Sequence, residues 1–124
     1  MKILAQATKT TPEITWNQLD GIMTIKGYSY PENVKKVYDP IEKFIKELIP
    51  YTHSLTLDLE LYHCSSSSVL SIYRIITALG DHTVDGTSLI INWRYEDGDE
   101  DLENIGKEFE KLSELPINFI KISN

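Results

Sequence analysis

The sequence predicts an α/β fold, a mixed sheet of four to five strands with helices packed on it, in the order β-β-α-β-α-β-α-β. Two observations carry that expectation. Segments with two-residue hydrophobic alternation take turns with segments whose apolar residues recur every three or four positions. Strands and helices alternating in this way build a sheet with helical crossovers, which are right-handed where the strands are parallel. Neither internal repeats nor a linker interrupts the pattern, so one domain over residues 1–124 is expected.

The first strands are "EITWN" (13–17) and "IMTIK" (22–26), joined through Gln18-Leu19-Asp20-Gly21, whose Asp-Gly is a hairpin turn signal. Residues 2–7 are expected to add an edge strand. In "GYSYPENV", Ser29 and Glu32 have the spacing of a capping box, and Pro31 suits a first helical turn. Val34, Val37, Ile41, Phe44, Ile45, Leu48 and Ile49 follow at helical spacing up to Pro50. Pro40 interrupts this stripe and lacks the N–H a helix interior needs. The expectation is one turn at 32–38 and a main helix at 39–49.

"SLTLDLELYH" (54–63) alternates strictly, with Leu55, Leu57, Leu59 and Leu61 on one face, as in a strand with one buried side. After "CSSSS", Val69, Ile72, Tyr73, Ile76 and Leu79 form a helical stripe beginning near Ser67 and ending near Gly80. Residues 87–96, rich in β-branched and aromatic residues, read as a strand. Leu102, Ile105, Phe109 and Leu112 define an amphipathic helix, and residues 117–122 the last strand. Trp16 and Trp93 fall in strands and read as packing residues.

Composition narrows the function. The chain is 41% hydrophobic and 25% charged, ordinary for a globular protein. Its net charge of −7 argues against nucleic-acid binding, which needs a basic face. No apolar run approaches the length of a membrane helix or a signal-peptide core, and the single cysteine fits a reducing compartment. A soluble cytoplasmic protein without cofactor or membrane insertion is expected.

The chemical candidates are few. His53, His63, Cys64 and His82 match no metal-site spacing, and adjacent His63 and Cys64 on a strand would point to opposite faces. In the acidic run from Glu96 to Glu110, Leu102 stands where a calcium loop needs glycine. That run reads as a solvated helix start. Serine hydrolysis lacks the G-x-S-x-G elbow and an arranged base. What remains is the serine run itself. Ser65 or Ser66 can cap the following helix. The same helix start can accommodate a phosphate, which would add about −1.5 to −2 charges to a small neutral surface.

Two stretches resemble a known family. "GYSYPENV" is similar to the G-x-SYPEN signature of the SiaC-type bacterial regulatory phosphoproteins, with Ser29, Tyr30, Pro31, Glu32 and Asn33 all matching. "LDLELYHCSSSSVLSIYRII" resembles the family's second block, where an apolar strand runs into Asn-Thr-Ser-Ser and then a helix. The resemblance covers nearly the whole chain. It implies a STAS-like sandwich and a non-enzymatic, partner-switching role like that of anti-sigma-factor antagonists. The partners implied are a HATPase-type Ser/Thr kinase, a PP2C-type phosphatase and a target such as a diguanylate cyclase in biofilm signalling.

The gapless register from Leu57 places Ser66 at the family's phosphorylated threonine, followed by Ser67 and Ser68. A one-residue slip would make Ser65 the acceptor, and Ser67 is a further alternative. The family's Asn and Thr are both Ser here, and its lysine after the serines is missing, with Leu70 in its neighbourhood. The alternatives are a constitutive adaptor that has lost the switch, or an anti-sigma-factor antagonist. The partner surface expected from the resemblance comprises residues 29–33 with Ser67 and Ser68.

Overall fold

A computed structural model describes residues 1–48, 52–82 and 88–123. The elements, in chain order, are β1 (Lys2–Ala5), β2 (Glu13–Asn17), β3 (Ile22–Ser29), α1 (Val34–Leu48), β4 (Ser54–Cys64), α2 (Ser66–His82), β5 (Ser88–Glu96), α3 (Glu100–Ser113) and β6 (Asn118–Ile122). The sheet has six strands in sequential order. That is one more than the upper end of the four to five expected, because Lys2–Ala5 pairs with β2, with a register shift between Ile3 and Ala5. The β1–β2 and β2–β3 pairs are antiparallel, and β3 through β6 are parallel.

The sheet therefore grows in one direction through three crossovers. Crossovers of one hand that step the same way put their helices on the same side. The burial pattern agrees: Leu55, Leu57, Leu59 and Leu61 are buried beneath the helices, while Thr56, Asp58, Glu60 and Tyr62 between them are only half-buried. One face of the sheet thus carries the core and the other faces solvent.

At the first connection, Gly21 adopts φ 67° and donates its N–H to Asn17 O at 2.8 Å, closing the hairpin expected from Asp-Gly. The helix that follows departs from expectation. It is one element, Val34–Leu48, running through Pro40, and not a turn at 32–38 with a separate helix; Ile49 and Pro50 lie outside the described residues. Pro40 is exposed, and its penalty is about 3 kcal/mol. Burial of Tyr38, Ile41 and Ile45 on one continuous stripe, at roughly 1.5–3 kcal/mol for each large apolar side chain, outweighs it.

The capping box is likewise overturned. Ser29 is the last residue of β3, and the helix opens under Asn33, whose Oδ1 accepts the Lys36 N–H at 3.3 Å. Helix α3 is capped by Asp99, which accepts from Leu102 N, and ends on Glu114 in the left-handed region. It lies close on the sheet at Gly106, where a Cβ would stand 2.5 Å from Trp93 Cδ1. Trp93 is buried and donates its indole N–H to Leu102 O at 2.9 Å. Trp16 is buried as well.

Candidate functional site

The C-terminal ends of β3 and β4 lie side by side, with Ser29 paired to Cys64 in register. This places the segment after β3, residues 29–33, next to the segment after β4, the serine run. A backbone bond from Ser65 N to Ser29 O, 2.8 Å, ties the two together.

The four serines have different environments. Ser65 caps α2: its Oγ accepts the Ser68 N–H at 3.3 Å, and its carbonyl accepts from Val69 N at 2.9 Å. Ser68 is fully buried, and its Oγ accepts from Ser29 Oγ at 2.8 Å and from Ser65 Oγ at 3.0 Å. Ser29, also fully buried, meets the Tyr38 hydroxyl from α1. Because Ser29 has one proton and spends it on Ser68, the Tyr38 O–H donates to Ser29. Ser67 is exposed but lies 3.3 Å from Ser65 Oγ. Ser66 is exposed, and its hydroxyl has no hydrogen-bond partner among the described residues.

The electrostatics are those of a neutral, preorganised helix start. Ser66 and Ser67 keep their backbone N–H groups without an acceptor among the described residues, so two donors and the positive end of a 17-residue helix face outward. Burial pushes the Tyr38 phenol up to about 12, so it stays a donor at any physiological pH. Burial likewise pushes the Cys64 thiol up to about 12, which leaves it protonated and unreactive.

Around this centre, Tyr30 is exposed and meets His63 edge-on, ring centroids 5.1 Å apart. Its N–H donates to Thr10 O at 2.9 Å, which holds the loop before β2 against the same end of the sheet. Pro31 is half-buried, Glu32 and Asn33 are exposed, and Leu70 projects from the second turn of α2 with 66% of its surface exposed. The residues expected to share a face are therefore together, except that Ser29 and Ser68 lie beneath the surface and support it. Tyr38 belongs to the site and had no sequence signal, since its partners are 9 and 30 residues away.

Other chemistries find no geometry here. No histidine hydrogen-bonds a serine of the run among the described residues. His53 and His63 flank the two ends of β4, a separation of roughly 30 Å at the rise of a strand. The side chain of His82 lies outside the described ones. Among the described residues no three metal-ligating side chains gather, and no helix is long and apolar enough to cross a membrane.

Comparison with known proteins agrees with this architecture over almost its full length. The model of the SiaC family regulatory phosphoproteins matches residues 5–122. An uncharacterized protein of Pseudomonas aeruginosa strain UCBPP-PA14 is 26% identical over 113 residues, covering 88% of this chain and 87% of that one. Among solved structures, a chain in the crystal structure of the diguanylate cyclase SiaD in complex with its activator SiaC, from Pseudomonas aeruginosa, superposes with a TM-score of 0.85. It is 23% identical, over 94% of this chain and 96% of that one. Apo-SiaC of the same organism gives 0.82 at 22% identity, over 97% and 99% of the two chains.

Proposed function

Since the chain belongs to the SiaC family of regulatory phosphoproteins, we propose that it is a non-enzymatic partner switch, phosphorylated on Ser66 and binding a diguanylate cyclase in its unmodified state. The observation that carries the choice of Ser66 is its isolation. Ser65, Ser67 and Ser68 are engaged with one another or buried, whereas Ser66 offers an exposed hydroxyl that, like the backbone N–H groups of Ser66 and Ser67, has no partner among the described residues. A phosphate there would be received by those amides and by the helix dipole, so the fold tolerates it. It would also put about two negative charges on the uncharged serine run, between Tyr30 and Leu70. A partner that buries this surface would lose contact, because an unpaired charge in a desolvated interface costs several kcal/mol.

The cyclase enters by analogy with the relative crystallised with SiaD. In this reading a HATPase-type Ser/Thr kinase and a PP2C-type phosphatase are the partners that set and remove the phosphate, with the whole switch in the cytoplasm. The test is intact-mass analysis of the protein incubated with ATP and a HATPase-type Ser/Thr kinase from the same organism. One added phosphate is expected, and none on Ser66→Ala. No phosphate on the wild type, or one retained by Ser66→Ala, would overturn the assignment.

A second reading is a constitutive adaptor. It is favoured by serines standing where the family resemblance has Asn-Thr. Under it, Ser66→Asp leaves partner affinity unchanged.

A further inference from the structure

The helix-free face of the sheet carries a second site. On that face Tyr28 of β3 and Tyr62 of β4 pack against each other, centroids 5.6 Å apart and planes tilted by 56°. The Tyr62 hydroxyl donates to the Glu60 carboxylate, which also takes Lys26 Nζ at 3.6 Å. Beside them Arg94 is spent on Asp58 at 2.9 Å. Both cations of this patch are therefore neutralised, while Glu96 at the end of β5 makes no ion pair among the described residues.

The pair stands between two grooves. One, of about 470 Å³, is lined by Tyr28, Glu60, Tyr62, Glu96, Ile122 and Ser123. The other, of about 430 Å³, lies on the far side of the same rings, under the loop that carries Thr8 and Thr11. Tyr28 is 49% exposed in a face that has no helix to cover it.

We infer that this groove docks an arginine-bearing segment of a protein partner, the guanidinium lying on the Tyr28 and Tyr62 rings and pairing with the Glu96 carboxylate. Charge and shape both select arginine. The uncompensated charge is negative, the ring faces attract a flat cation, and a guanidinium can stack and bind a carboxylate in a fork at once, whereas an ammonium is a strongly hydrated point charge. The Tyr62 ring is held in place by its bond to Glu60, so little side-chain freedom is lost on docking. Tyrosine and arginine are also the residues that concentrate energy at protein interfaces. The surface excludes Ser66, so it stands whether or not that serine is phosphorylated.

The test is NMR titration of the whole protein with a tri-arginine peptide and, separately, a tri-lysine peptide. Arginine is expected to shift the signals of Tyr28, Tyr62, Glu96 and Ile122, and to bind at least ten-fold more tightly than lysine. Tyr28→Ala, at a half-exposed position, is expected to weaken arginine binding ten-fold or more, and Glu96→Gln several-fold. Equal binding of the two peptides, shifts centred on the acidic loop 97–101 or on the helices, an unaltered affinity in Tyr28→Ala, or no binding at millimolar peptide would each overturn the inference.

Discussion

Ser29 shows how much one hydroxyl can hold. It is fully buried at the end of β3, takes the Tyr38 proton, and gives its own to Ser68 under the start of α2. Three elements thus meet on two hydrogen bonds, and removing the middle hydroxyl takes the nearer partner from a buried phenol. Ser29→Ala is expected to lower stability by about 1–3 kcal/mol in urea denaturation. Tyr38→Phe should cost less, because it removes the donor that would otherwise be left unpaired, and the two effects should be non-additive in a double-mutant cycle. The same burial sets an alkaline limit. Tyr38 goes from an ordinary 10.0 to about 12 and Cys64 from 9.0 to about 12, so the folded chain keeps protons that the unfolded chain releases. Their contribution is complete below pH 9 and is lost as pH rises from about 9 to about 12. Denaturation midpoints across that range should fall, and fall less steeply in Cys64→Ala.

At the scale of elements, local pattern and tertiary packing compete, and two substitutions separate them. Pro40 is exposed inside α1 and lacks a helical N–H. Pro40→Ala should raise stability, by up to about 3 kcal/mol, read as a higher urea midpoint. Gly106 has the opposite sign. Alanine normally improves a helix by about 1 kcal/mol over glycine, but here its Cβ would press on Trp93 and on Phe119 Cε1 at 2.9 Å. Gly106→Ala should therefore destabilise, by about 1–3 kcal/mol. The sequence made the elements legible wherever one periodicity dominated: Leu55 to Leu61 alternate without exception, and the strand is there. It misled at Ser29, because S-x-x-E is a local signal for a cap while the pairing of Ser29 with Cys64 is made by a strand 35 residues on. It also misled at Pro40, where a local penalty was overridden by a continuous buried stripe.

For the whole molecule, the sheet order is the decisive fact. Sequential parallel strands put the three helices on one side, so the molecule has a helix-covered face, a bare sheet face, and an end where β3 and β4 deliver residues 29–33 and the serine run together. The alternation of strands and helices was readable in the sequence; the stepping direction, and hence the bare face with Tyr28 and Tyr62, was not. Nor was the inequality among the serines, which arises from a buried partner in another strand. That inequality supports the central claim, that Ser66 is the position at which the molecule is switched. Its most direct test is calorimetric titration of a diguanylate cyclase from the same organism with the unmodified protein and with the protein phosphorylated at Ser66. Binding is expected for the unmodified form, weakened roughly 100-fold or more by the phosphate, equivalent to about 2.7 kcal/mol. Equal affinity of the two forms would contradict the account.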